Sequence, residues 1–173
     1  MAETIPDVIE PVALADYLDV IARAVFQAGV SWKQIAERWD AYRRAFDGFD
    51  PARVAAYDDL DVERVLATPG VLRSPRKVRA TIANAKALLE AERERDGFAR
   101  YLRSFDSYEA LATDLRRRFK LMGPMNVWYL LFRVGEPVPR FERWVKTIAG
   151  EHPRMREMVE RARGQGKSSE RLR

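Results

Sequence analysis

The run Arg118-Phe119-Lys120-Leu121-Met122-Gly123-Pro124-Met125-Asn126 holds residue types that bind a phosphate through backbone and charge together. It reads as a helix end, a tight hairpin carrying Gly123, and a new helix opened by Pro124. Proline suits a first helical position because its fixed φ fits there and its missing N–H would have had no partner. A glycine-bearing hairpin that opens a helix leaves backbone N–H groups free, and these meet an anion together with the positive end of the helix dipole. Lys120 and the triplet Arg116-Arg117-Arg118 add cationic charge at the same place. Two readings fit these residues. One is a helix-hairpin-helix element holding a nucleic-acid backbone through Arg118, Lys120, Gly123 and Asn126. The other is a plain αα-corner with a solvated basic face.

The elements that must position this hairpin are helical nearly throughout. Leu14, Leu18, Ile21, Val25 and Ala28 recur at helical spacing and predict a helix from Leu14 to Gln27. Gly29 breaks it, and Ser31 is a good N-cap for a second helix over 32 to about 46. Asp50 caps and Pro51 opens a short helix, and Asp59 or Asp61 caps another that runs through Leu66. Ser74-Pro75 starts the longest helix, 76 to about 95, with Val78, Ile82, Ala85 and Leu89 as its buried stripe. Helices over 98–105 and 108–119 follow, the latter capped by Ser107, then 125–134 after the hairpin, and a final pair over 141–149 and 155–162. With no sustained strand alternation and no internal repeat, the fold class is all-α. The organisation expected is an N-terminal extension over 1–13, a helical domain over 14–163, and a disordered basic tail over 164–173 rich in Gly, Gln, Lys, Ser and Arg.

Composition narrows the chemistry further. A chain of 173 residues suffices for one domain with a sizeable core. Zero cysteines exclude disulfides and thiolate metal sites, and a single histidine, His152, makes a zinc centre unexpected. No metal and no cofactor are expected. No apolar run approaches the roughly 20 residues that cross a membrane, and the acidic N-terminus does not read as a secretory signal, so the expected location is the cytoplasm. The net charge of +5 is unevenly spread. Residues 1–113 hold 16 Lys/Arg against 19 Asp/Glu, residues 114–146 hold 8 against 3, and residues 147–173 hold 7 against 4. The basic excess begins at the hairpin and points to a polyanionic partner.

Three blocks carry a family resemblance. The first is Gln27-Ala28-Gly29-Val30-Ser31-Trp32, followed by Tyr42-Arg43-Arg44-Ala45-Phe46 and Phe49-Asp50-Pro51. The second is Gly70-Val71-Leu72-Arg73 with Lys77 and Asn84-Ala85; the third is Phe119-Lys120-Leu121-Met122-Gly123. In order and spacing, over about residues 17–144, they resemble the DNA-3-methyladenine glycosylase I family of the helix-hairpin-helix DNA glycosylases. The resemblance implies a two-lobed helical bundle with a DNA-binding face and a pocket for a flipped-out base, because the glycosidic bond is inaccessible inside the stack. It implies that the turn of Gln27, Gly29 and Val30 pushes into the duplex with Val30 filling the gap, and that Trp32 lines the base pocket. An aromatic face there attracts a methylated, positively charged purine. Read without the family, Trp32 is equally a core tryptophan at the start of an amphipathic helix, and Val30 an ordinary turn residue.

The chain departs from the family pattern at three places. The family's two Cys and two His zinc ligands are missing; the two C-terminal ligand positions fall on Arg140 and Trp144, whose i, i+4 spacing would allow an Arg–aromatic contact in place of the metal. His152 lies too far along to match and reads as a surface histidine. The N-terminal segment that supplies pocket aromatics is not recognisable. The glutamate with which family enzymes recognise the base falls on Ala24, which accepts no hydrogen bond and balances no charge. Substitute candidates for the catalytic acid or acceptor are Asp16, Tyr17, Asp19 and Glu142, with Tyr17 also a pocket aromatic because it lies two turns from Ala24 on one helix face. The expected activity is therefore a monomeric, monofunctional DNA glycosylase of base-excision repair, hydrolysing the N-glycosidic bond of an alkylated or damaged base in double-stranded DNA. The alternatives are a DNA-binding protein that kept the scaffold and lost the chemistry, or an RNA-binding or protein-interaction module.

Overall fold

The computed structural model describes residues 4–171, and among them ten α-helices account for nearly all regular structure. They are α1 Leu14–Gln27, α2 Trp32–Ala45, α3 Pro51–Ala55, α4 Asp59–Leu66, α5 Pro75–Arg95, α6 Phe98–Leu102, α7 Tyr108–Arg118, α8 Pro124–Arg133, α9 Phe141–Trp144 and α10 Pro153–Gly164. Four of the caps read from sequence hold, while α4 is capped by Asp58 rather than by Asp59 or Asp61. Ser31, Asp50, Ser74 and Ser107 each accept a backbone N–H in the first turn of the following helix, satisfying donors that have no intrahelical partner. The helix expected over 141–149 is shorter: α9 ends at Trp144 and passes into a 3₁₀ turn over Val145–Thr147.

Two helices form the centre. Between Tyr17 and Gln27 only Asp19 of α1 is not buried, so α1 is enclosed nearly all round rather than along the single stripe its spacing predicts. α5 buries Val78, Ile82, Ala85 and Leu88; Leu88, and not the expected Leu89, is the fully enclosed leucine. Buried apolar side chains form one continuous cluster, in which Trp39 stacks on Tyr42 and Phe49, and Trp128 stacks on Phe132 and Trp144. Gly70, at φ +93°, lets the loop after α4 lie against α2, where a Cβ would sit 3.1 Å from that of Ala41. The Leu72 N–H then donates to the Tyr42 hydroxyl at 2.9 Å.

Both ends of the described chain are tied to α8 and its surroundings. Ile5 is buried, and the Ile9 N–H donates to the Arg133 carbonyl at 2.7 Å. The segment expected as a disordered tail from 164 is ordered through Arg171: Val138–Pro139 and Glu170–Arg171 pair as two short parallel strands, β1 and β2. Arg163 makes this possible. Its guanidinium donates to both carboxylate oxygens of Glu142 at 2.7 and 2.8 Å and to both of Glu170 at 2.8 Å. Glu170 in turn accepts from the Phe141 N–H at 2.7 Å. Polar composition read as disorder because these partners are remote in sequence.

Arg140 and Trp144 do not provide the cation–aromatic contact expected of them. Trp144 stacks on Trp128 with ring centroids 5.0 Å apart, while Arg140 faces Glu142 at 3.3 Å. The aromatic stack and the Arg163 cluster hold this region together. Among the described residues no group of three or more His, Asp or Glu side chains is placed to hold a metal ion, and no helix is long and apolar enough to cross a membrane.

Candidate functional site

The hairpin residues are positioned by a reciprocal clamp. Asn84 of α5, fully buried, accepts from the Lys120 N–H at 2.6 Å and donates through Nδ2 to the Lys120 carbonyl at 3.1 Å. A second amide, Asn126, donates to the Leu121 carbonyl at 3.0 Å. Leu121 is held at φ +55°, a left-handed conformation that costs a non-glycine residue roughly 1–2 kcal/mol. Gly123, by contrast, has an extended φ of −80° and open space where a Cβ would stand, so neither its backbone conformation nor local packing requires a glycine. The Lys120 side chain is exposed and has no carboxylate partner among the described residues.

Arg118, expected beside it, is committed elsewhere. Its guanidinium donates to Asp114 at 2.7 Å and to both oxygens of Glu94, and lies 5.2 Å over the Tyr101 ring. The helix turns Arg118 back toward α5 and α6, away from Lys120. Arg116 and Arg117 stay exposed on α7, Arg117 paired with Asp114.

A cavity of about 170 Å³ opens next to the hairpin. It is lined by Gln27, Val30 and Trp32 from the α1–α2 turn, by Met125, Asn126 and Tyr129 from α8, and by Met155 from α10. The turn keeps its shape through Gly29 at φ +72° and a Val30 N–H to Gln27 carbonyl bond of 3.1 Å. Lys77 of α5 reaches the end of α1, donating to the Phe26 carbonyl at 2.9 Å and the Ala28 carbonyl at 2.8 Å. Burial and the nearby Arg76 lower the Lys77 pKa. Trp32 is half-buried and meets Tyr129 edge to face, with centroids 5.7 Å apart and planes at 79°. Two aromatic walls at right angles thus flank a space that Gln27 also lines. The first turn of α8 belongs to cavity and hairpin at once.

None of the four candidate acids lies here. Tyr17 packs edge-on against Phe98 at 4.8 Å and borders a different, larger depression of about 960 Å³ with Arg103 and Lys167. Seven residues do return to the same helix face, but they also move about 10 Å along the axis, which carries Tyr17 away from Ala24 and out of the cavity. Burial raises the Tyr17 pKa. Asp16 accepts from the Val12 and Ala13 N–H groups at 2.9 and 3.1 Å. Asp19 accepts from Trp39 Nε1 at 3.1 Å and Arg43 Nε at 2.8 Å. Glu142 belongs to the Arg163 cluster, whose hydrogen bonds hold its carboxyl down at about 2. His152 is at the surface, 2.9 Å from the Ala149 carbonyl.

Sequence reading passed over Tyr129, Met155 and Arg23. Arg23 is 8% exposed, and its Nε and Nη2 have no hydrogen-bond partner. The one available signal was an arginine inside an otherwise apolar helix.

The chain matches the methyladenine glycosylase family model over residues 16–123 and belongs to that family. It is 37% identical over 87 residues to DNA-3-methyladenine glycosylase 1 of Escherichia coli K12, covering 50% of this chain and 46% of that one. It is 33% identical over 89 residues to the DNA-3-methyladenine glycosylase of Haemophilus influenzae, covering 51% and 48%. The chain therefore spans about half the length of these relatives. A crystal structure of a 3-methyladenine DNA glycosylase I superposes with TM-score 0.63 at 28% identity, over 78% of this chain and 83% of that one. The Staphylococcus aureus 3-methyladenine DNA glycosylase I shares the fold with TM-score 0.66 at 24% identity, over 74% and 79%.

Proposed function

We propose that the protein is a monofunctional DNA glycosylase of base-excision repair, acting as a monomer in the cytoplasm on an alkylated or otherwise damaged base in double-stranded DNA. The observation that carries this reading is the shared use of α8: the residues after the Gly123–Pro124 step line the cavity whose other wall is Trp32. A strand held at the hairpin, α7 and α8 thereby acting as a helix-hairpin-helix pair, delivers a flipped nucleotide to the aromatic walls. Lys120 and the N–H groups of Met122 and Gly123 take the phosphate, and the Gln27–Val30 turn enters the gap left in the duplex. No lysine lines the cavity, which favours direct hydrolysis over a Schiff-base route. Water attacks C1′ while the base leaves, with orientation as the main contribution of the protein.

A second reading rests on one observation: no carboxylate lines the cavity. It describes a protein that binds DNA at the hairpin without turnover. Incubating duplexes carrying methylated, deaminated or oxidised bases with excess protein, and measuring released base, separates the two. Release of any damaged base supports the glycosylase. Retention of every one, alongside salt-dependent binding, leaves the binding reading.

A further inference from the structure

The charge around the cavity is unusual. Gln27 is 4% exposed, lines the cavity, and leaves its Oε1 without a hydrogen-bond partner. Arg23 lies one turn earlier on the same face of α1, and two of its buried nitrogens are unpartnered. Across the cavity Tyr129 accepts from Arg133 Nη1 at 3.3 Å, and Arg133, 6% exposed, gives its Nε to the Asp7 carbonyl. Neither arginine has a carboxylate within ion-pair distance among the described residues, since Asp19, the acid nearest Arg23 in effect, is held by Arg43 and Trp39. Burial lowers the Arg23 pKa, yet a guanidinium remains charged at neutral pH. Two buried cations without counter-ions are costly unless something else balances them.

We propose that the cavity is built for a neutral damaged base presenting a lactam edge, an N–H beside a carbonyl, as deamination of adenine or cytosine produces, and that it disfavours a cationic alkylpurine. The proposal rests on the glycosylase reading above and names its substrate class. Gln27 matches such an edge with two bonds, Oε1 accepting the ring N–H and Nε2 donating to the carbonyl. Tyr129, its oxygen engaged by Arg133, remains a hydroxyl donor to a second carbonyl. A cationic base would instead find no acid in the lining, with the two buried guanidiniums behind Gln27 and Tyr129 opposing its charge.

The bond chemistry points the same way. The C1′–N bond breaks with its electron pair on the base and water adds its oxygen to C1′; the proton it sheds ends on the base that leaves as an anion, or in solvent when the base leaves neutral. An alkylpurine cation leaves as a neutral molecule and gains nothing from neighbouring positive charge. A neutral lactam base leaves as an anion with charge on its carbonyl oxygens, which Arg23 and Arg133 stabilise from a site shielded from water.

The test compares single-turnover release from matched duplexes carrying one deoxyinosine, one deoxyuridine or one methylated purine. Hypoxanthine or uracil should leave at least about tenfold faster than 3-methyladenine, the equivalent of about 1.4 kcal/mol. Faster release of 3-methyladenine overturns the substrate class and keeps the glycosylase. A binding arm is independent of turnover: calorimetric titration with free hypoxanthine and with the permanently cationic 3,9-dimethyladeninium. Hypoxanthine should bind and the cation should not, even if no duplex is processed; equal or tighter binding of the cation overturns the proposal. Gln27→Glu and Arg23→Met, both close in shape to the originals, should each weaken hypoxanthine at least about tenfold and admit the cation. A purely structural Gln27 would leave the preference unmoved.

Discussion

Asn84→Ala is the most direct test of how the hairpin is held. The side chain is fully buried and makes two bonds to the backbone of one residue, Lys120, at 2.6 and 3.1 Å. Each is worth about 0.5–1.5 kcal/mol net, and a group left buried without a partner adds roughly 1–3 kcal/mol. Lys120 is exposed, so its peptide can turn to water once released, and the upper penalty does not apply. The sum is about 2 kcal/mol. For a chain of this size that lowers Tm by roughly 4–8 °C. Hydrogen exchange adds a local readout: the Lys120 amide should lose protection while α5 keeps its own. Asn84→Asp sharpens the case, because it preserves the acceptor for the Lys120 N–H and sets a carboxylate oxygen against the Lys120 carbonyl. It should destabilise at least as much as the alanine. A Tm within about 1 °C of the parent for both variants, with the Lys120 amide still protected, would refute the clamp.

Other expectations are more compact. Lys120→Ala should weaken duplex binding equally for all sequences and flatten the plot of log K against log salt by about 0.9, one phosphate contact. Arg118→Ala should leave that slope unchanged and instead lower Tm, because Asp114 and Glu94 lose their partner. The Arg163 cluster should make stability acid-sensitive. Glu142 and Glu170 both have lowered pKa values, Glu142 about 2 against an ordinary 4.5. Their contribution is complete above 4.5 and fades as pH falls toward 2. Arg163→Ala should remove that acid limb of a Tm–pH profile and expose 164–171 to protease at neutral pH. Leu121→Gly should change stability by less than about 1 kcal/mol, because relief of the left-handed strain at φ +55° is offset by glycine's freedom and by the lost packing of the leucine against the core, read by denaturant titration.

Helix starts were legible because a cap is local. Ser31, Asp50, Ser74 and Ser107 each needed only a short polar side chain ahead of a first turn. The Trp32 turn and the hairpin were legible as blocks of residues with the right order. What could not be read was commitment at a distance. Arg118 and Lys120 look alike in sequence, yet one is consumed by α5 and α7 carboxylates and the other is not. Tyr17 shares an azimuth with Ala24 but not a height on the helix. The tail looked disordered because its anchors, Glu142 and β1, precede it by some thirty residues. Arg23 was hidden by the assumption that an arginine reaches water; nothing in one sequence says that its guanidinium ends over Trp39, 5.9 Å from the ring centroid.

The family match ends at Gly123, and the cavity does not. Trp32 and Gln27 stand inside the matched span; Met125, Asn126, Tyr129 and Met155 lie beyond it, as does Arg133 behind Tyr129. The cavity therefore draws on both sides of the point where the match ends, whereas the clamp of Asn84 on Lys120 lies wholly within it. The grip proposed above would need a backbone turn, one clamp from α5 and the Lys120 cation, all within the matched span and all indifferent to which base is present. Under the proposed substrate class, reading would depend on the sign of the charge around the flipped base, to which α1 contributes Arg23 and α8 contributes Arg133. Reversing that sign need not disturb the hairpin, since none of the clamp residues touches either arginine. On that proposal, such a scaffold would change its substrate class by exchanging residues around one small cavity while the hairpin clamp stays as it was.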